Sequence, residues 1–388
     1  MTRSNQLDLK STIVSGSDLR ILLSSEHLSY GEIYSTLKDK GVFVGNSDKS
    51  VTVPLLSATL LTPDNFTRLI ESSVNRESQP KIKVAGLSLV SAGSDWITPL
   101  KQSLFDGAFD ALAGASGIDF VTSPSLVVHN ADSASISYQL CRHDFSKDWI
   151  QRELIFDGQV LIERAGQALK LDFVSTHSSK ETELINKKLT SRIAKVLHGV
   201  SLVSTDEPKS ITFGSMSNEE RVRYFKRLTS GFLSTLSPGR VNDIEICLDP
   251  KAPALPDDPE ISWMKQSVRR IHVDGDRLND IFLISDDKYY KYYHIQRMDI
   301  SFPFVDGANN GECRVSFSFS GAGKVPAVES ELIFECLRWS YAVQPNADAK
   351  KQISLTVQHA LRSLVEQKYE LALSERGAGA ALQSPAKV

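Results

Sequence analysis

Between residues 136 and 250 the hydrophobic period of the chain changes from two to 3.6. Three strand-like segments come first, SYQLCRHDF, ELIFDGQVLIE and ALKLDFVST, the last with alternating apolar residues. Alternation sends successive side chains to opposite faces, so that last segment fits a sheet with one buried face. Asp157-Gly158 in the second segment is a two-residue turn signal, since both positions tolerate positive φ, and it predicts a hairpin there. Two helix starts follow. Ser178 with Glu181 and Ser217 with Glu220 each fit a capping box, in which hydroxyl and carboxylate satisfy each other's orphan amides. The helices they open run through KETELINKKLTSRIAKVLHG to Gly199 and through EERVRYFKRLTSGFL, with SITFGS as a strand between them. Strands followed by helices, without regular βαβ alternation, predict an α+β body built on antiparallel strands.

The N-terminal part has a different grammar. DLRILLSS and YGEIYSTLKDKG read as short helices, the second stopped by Gly41 in a left-handed C-cap. VPLLSATLL supplies a third helix. Thr62-Pro63 starts a fourth, through Phe66, Leu69 and Ile70, with threonine as N-cap and proline at N1. VNRESQPKIK reads as a polar linker, and the low-charge stretch after it carries one helix from Thr98-Pro99, then loop and strand in VTSPSLVVHNADSAS. Beyond the body helices, DIEICLD is a strand and PKAPALPDDPE a loop. MDISFPF and RVSFSFS form a second hairpin. AVESELIFECLRWSYAV and KKQISLTVQHALRSLVEQKYELAL read as two helices, and RGAGAALQSPAKV as a disordered end. The predicted organisation is a small all-α head over 1–78, a connecting region over 79–135, the α+β body over 136–375 and a tail over 376–388.

Composition narrows the function classes. With 44 Lys and Arg against 47 Asp and Glu, nucleic acid cannot be held by the surface as a whole, only by local basic faces. No apolar run suits a membrane span and the first residues carry no secretory signal, so a cytoplasmic protein without membrane contact is expected. The four cysteines, Cys141, Cys247, Cys313 and Cys336, are far apart and fit reduced thiols better than a zinc site. Phosphate-cradling glycine patterns are missing: GAGAAL lies at the tail and SGAGK lacks its partner glycine. No cofactor or metal is predicted.

Asp157, Glu163 and Asp172 offer acids for a divergent magnesium-dependent nuclease, but LKLDFVST has no lysine two residues after its acid. His177 beside Ser178 has no acidic orienter in sequence. The expected role is therefore non-enzymatic, with the nuclease kept as an alternative.

Basic faces remain. Lys188, Arg192 and Lys195 share one flank of the first body helix, with Ile185, Leu189, Ile193 and Val196 as its buried stripe. On the second, Arg223, Lys226 and Arg227 lie opposite Phe225, Leu228 and Phe232. Such flanks can pin phosphates of double-stranded DNA, or they can be ordinary solvated helix faces. Arg269-Arg270 is a third basic candidate. Tyr289, Tyr290, Tyr292 and Tyr293 can stack on bases, or half of them can be core of a packed hairpin.

The segment from Tyr34 to Leu61 resembles the SAP-like, helix-extended-helix family of DNA-binding modules, through LKDKG, an extended link and DKSVTVPLLSATLL. The resemblance implies backbone contacts from Lys38, Lys40 and Lys49. Val53 and Pro54 depart from the usual polar start of the second helix, and Asp39, Asp48 and Asp64 dilute the charge, which leaves protein docking open. LSYGEIYSTLKDKGVF and VPLLSATLLTP, then THSSKETELINKKL and ITFGSMSNEERVRYF, in that order, are similar to the non-nuclease subunit of a two-gene bacterial anti-phage system of the GAPS type. That resemblance implies a hetero-oligomer with a partner nuclease subunit and a regulatory part in sensing DNA. The third reading is a protein-docking scaffold without nucleic-acid contact.

Overall fold

A computed structural model describes residues 16–24, 28–46, 48–69, 80–91, 93–106, 109–113, 117–143, 153–164, 170–231, 234–262, 270–307, 309–319 and 326–382. Its helices are α1 Gly16–Ser24, α2 Tyr30–Asp39, α3 Lys49–Ser57, α4 (residues 63–69), α5 Ile97–Ser103, α6 Lys180–Gly199, α7 Asn218–Leu228, α8 Pro259–Ser262, α9 Phe282–Ser285 and α10 Ala347–Leu382. Its strands are β1 Lys81–Ser88, β2 Ile118–Asn130, β3 Ser133–His143, β4 Glu153–Arg164, β5 Lys170–His177, β6 Lys209–Ser210, β7 Arg240–Leu248, β8 Arg270–Asp274, β9 Tyr293–Asp306, β10 Asn309–Phe319 and β11 Leu332–Tyr341. The architecture is α+β, a small helical N-terminal region followed by an 11-stranded antiparallel sheet with helices. The chain divides into two compact units, one of residues 1–80, 97–160 and 176–193, the other of residues 81–96, 161–175 and 194–388.

In the first unit the helical head forms its own core from Leu19, Leu23, Ile33, Leu37, Leu56 and Phe66, all buried. Each such side chain removed from water contributes about 1.5–3 kcal/mol before the entropy of ordering is subtracted. Ser29 and Glu32 close a capping box on α2, and Gly41 ends it at φ 76°. The Gly41 amide donates to Lys38 O at 2.9 Å and the Val42 amide to Leu37 O at 2.9 Å, which satisfies the last carbonyls of the helix. The third helix begins at Lys49, four residues before the expected Val53, so Pro54 lies inside it. Thr62 caps α4 as expected, its hydroxyl accepting from the Asn65 amide at 3.3 Å. Ile70 and most of the expected linker lie outside the described residues, and the last part of that linker is strand β1.

The rest of this unit corrects two expectations. ELIFDGQVLIE is one continuous strand, β4, without a turn at Asp157-Gly158. Gly158 serves clearance: a Cβ there would lie 2.1 Å from Cζ of Tyr138 on β3. The Tyr138 hydroxyl lies 2.9 Å from Thr182 O and 2.8 Å from Asn186 Oδ1, so its one proton fixes the ring against α6. The cap of α6 also sits one residue later than expected. Ser179 Oγ accepts from the Thr182 amide at 3.3 Å, and Thr182 Oγ1 accepts back from the Ser179 amide at 3.0 Å. Glu181 is thereby released to pair with Arg142 at 3.3 Å; burial opposes its ionisation, but Arg142 overrides that and holds the carboxyl below its ordinary range.

In the second unit the strand order is β5-β1-β11-β10-β9-β7-β8, with β6 on β1. The β9–β10 hairpin is as expected, pairing Asp306 with Asn309 and Asp299 with Ser316. Met298, Ile300 and Phe302 on β9 and Val315 and Phe317 on β10 are buried in one cluster with Val222, Phe225 and Leu228 of α7 and Ile353, Val357, Leu361 and Leu364 of α10. The Ser217–Glu220 capping box of α7 is present as expected. AVESELIFECLRWSYAV, expected as a helix, contains β11, which pairs with β10 and with β1. Leu337 is an extra residue in β11, opposite the step from Arg314 to Val315 on β10, and it interrupts the alternation, which hides the period of two. Of SITFGS only a two-residue strand and a short 3-10 turn remain. The aromatic run is no strand before Tyr293: residues 287–292 form a 3-10 helix, and all four tyrosines are buried. Helix α10 continues to Leu382, through part of the expected disordered end, and residues 383–388 lie outside the described residues. Among the described residues no helix is long and apolar enough to cross a membrane.

Candidate functional site

The surface of the head combines a balanced charge with uncovered apolar side chains. Phe43 is 74% exposed and Leu60 86%, and Ile21, Tyr30, Val51 and Leu55 are exposed as well. Lys40 Nζ donates to Leu60 O at 2.6 Å, tying the segment that carries Leu60 to the end of α2. Lys49 stands over the Tyr30 ring, 5.7 Å from its centroid. Lys38 is exposed. Of the three lysines that a SAP-like head would turn to DNA, two therefore have partners within the head. A groove of about 490 Å³ runs beside α2, lined by Gly31, Ser35, Asp39, Asn65 and Arg68 among others. Arg68 reaches Asp39 across it at 3.5 Å.

The basic flank of α6 is similarly engaged. Lys188 Nζ donates to Ala111 O at 3.1 Å and Ala113 O at 2.6 Å. Arg192 donates to Ser103 O at 2.9 Å and pairs with Asp106. Both cations close the C-terminal side of α5 and the turn after it, where backbone carbonyls need donors. Lys195 is exposed.

On α7, Arg223 pairs with Glu219 one turn earlier at 3.3 Å, and Lys226 is exposed. Arg227 reaches both carboxylate oxygens of Glu375 on α10, at 2.6 and 2.8 Å. Arg376 mirrors this contact, donating to the two oxygens of Glu220 at 2.7 and 2.6 Å. Arg376 holds the Glu220 carboxyl down at about 2, aided by the Ser217 amide and against the cost of burial. Arg269 lies outside the described residues, and Arg270 pairs with Glu245 at 2.5 Å.

The acids of the nuclease alternative are placed separately. Asp157 is exposed and accepts from Gln139 at 2.8 Å, Glu163 pairs with Arg362, and Asp172 is half-buried on β5. His177 is buried, its Nε2 4.0 Å from Glu183. Among the described residues no group of three or more His, Cys, Asp or Glu could hold a metal ion.

A charge network that sequence reading missed lies on β7, β8, β9 and β10. Asp299 is fully buried and binds Arg297 at 2.9 and 2.8 Å and Arg314 at 3.1 Å. Beside it Asp243 accepts from His272 at 2.7 Å. Arg297 and Arg314 reach Asp299 within the β9–β10 hairpin itself, whereas Asp243 and His272 come from β7 and β8, remote in sequence.

Residues 17–79 match the family model described as the GAPS4b protein N-terminal domain. The match spans the head and supports a GAPS-type defence protein. No curated protein matches the chain.

Proposed function

We propose that the chain is the non-nuclease subunit of a GAPS-type anti-phage defence complex and that its helical head docks the partner subunit. The observation that carries this reading is the apolar surface left uncovered on a domain with a complete core of its own, above all Phe43 and Leu60. Isolated exposed hydrophobics are ordinary, but this many on so small a helical domain mark an interaction surface. The charge of the head points the same way. Lys38, Lys40 and Lys49 share it with Glu32, Asp39, Asp48 and Asp64, which gives phosphates little net attraction. Co-purification with the nuclease of a GAPS-type pair tests the reading: a Phe43→Glu, Leu60→Glu chain should lose the partner, and a complex that survives both changes would refute it.

The second reading is contact with double-stranded DNA. It rests on Lys38, Lys195 and Lys226, the exposed members of the predicted set. Anisotropy of a short labelled duplex at two salt concentrations decides it. Saturable binding that weakens steeply with salt, and falls on charge reversal at Lys195 and Lys226, supports phosphate contacts; no binding at low salt removes them.

A further inference from the structure

We propose that Cys313 and Cys336 form a reversible peroxide-modification site, in which Cys336 is oxidised first and Cys313 closes a disulfide onto it. The two thiols belong to neighbouring strands of the second unit. Cys313 and Val315 share one face of β10, because side chains alternate along a strand, and Cys336 of β11 stands directly opposite Val315. The cysteines are therefore a diagonal pair on one face, a separation that side chains span. Their side chains are in hydrogen-bond contact. Leu337, the extra residue of β11, follows Cys336 directly. A strand bends at such a residue, which lets the sulfurs close to the roughly 2 Å of a disulfide. Neither remaining cysteine has a cysteine opposite it: Cys141 stands against Asp119, and Cys247 against Arg270 and His294.

The pair is asymmetric. Cys313 is fully buried, whereas Cys336 is partly exposed. The contact with Cys336, together with burial, holds the Cys313 proton far above the ordinary thiol range. Peroxides react with thiols that solvent reaches, so Cys336 takes the first step and Cys313 serves as the resolving thiol. The Cys336 sulfur attacks one oxygen of hydrogen peroxide and the O–O bond breaks. The departing hydroxide takes up the thiol proton as water, leaving Cys336 oxidised to a sulfenic acid and the peroxide reduced. The Cys313 sulfur then attacks the Cys336 sulfur and the S–O bond breaks. The second hydroxide leaves as water with the Cys313 proton, so two thiols and one peroxide give one disulfide and two waters. The bond staples β10 to β11 beside the bulge, and a dithiol reverses it. The inference does not depend on the role proposed for the head.

The test is thiol mapping on the full chain after brief exposure to hydrogen peroxide. Free thiols counted in denaturant should fall from four to two. Trypsin should then release residues 298–314 joined to residues 325–338, each piece carrying one cysteine, and dithiothreitol should separate them. In Cys313→Ser the same exposure should leave a sulfenic acid on Cys336, trapped by dimedone. In Cys336→Ser, Cys313 should remain a free thiol. A wild-type chain that yields no joined peptide, or Cys313 oxidised in C336S, would overturn the proposal. Should either variant fold poorly, the joined peptide of the wild-type chain still decides, since it needs no substitution.

Discussion

The ring of Tyr138 occupies the space where residue 158 would carry its Cβ, 2.1 Å from Cζ. The Tyr138 hydroxyl is held by Thr182 and Asn186, so the ring cannot swing aside. Gly158→Ala should therefore lower stability by about 1–3 kcal/mol through overpacking. Chemical denaturation checks this, and Tyr138→Phe should cost only about 1 kcal/mol.

The Arg376–Glu220 and Arg227–Glu375 pairs cross between α7 and α10. The folded Glu220 carboxyl titrates at about 2 against an ordinary 4.5, so its contribution is present above 4.5 and is lost as pH falls through about 2. Half-exposed partners and solvent screening keep that contribution near 1 kcal/mol. Melting temperature followed from pH 5 downward should fall less steeply in Glu220→Gln than in wild type.

His294 gives a second pH window. Burial, reinforced by Arg221, lowers its pKa to about 4 from an ordinary 6.5. The unfolded chain then binds the proton more readily, so the stability it contributes is complete above 6.5 and declines as pH falls toward 4, by about 3 kcal/mol at most. A His294→Gln chain should show a flatter stability profile across that window.

Arg192 and Lys195 separate structure from surface charge. Arg192→Ala removes donors from Ser103 O and from Asp106, and should lower the melting temperature. Lys195→Ala should leave the unfolding free energy within about 0.5 kcal/mol of wild type, as exposed positions do.

Helix caps were legible because their chemistry is local. Thr62 on α4 and Ser217 with Glu220 on α7 need nothing beyond four consecutive residues, although at α6 Ser179 with Thr182 took the place of the expected Ser178 with Glu181. β4 was misread because a glycine can serve a turn or a close approach, and only Tyr138, twenty residues earlier, decides between them. β11 was misread because a register irregularity against β10 breaks its alternation and its partners, β1 and β10, lie elsewhere in the chain. The basic flanks of α6 and α7 follow helical spacing correctly. Which cations stay available did not follow, since Glu375 and the carbonyls of Ser103 and Ala111 are remote in sequence.

The pairing of Lys81 with Glu335 sets the timing of synthesis. β1 leaves the ribosome directly after the head, yet its neighbour β11 emerges more than 250 residues later. The head closes its core from local helices and can fold while the chain is still growing. β1 must wait, with its strand edge open, until almost the whole polypeptide is made. Such long-range closure is slow, and the nascent body is exposed to aggregation for the duration of its own translation.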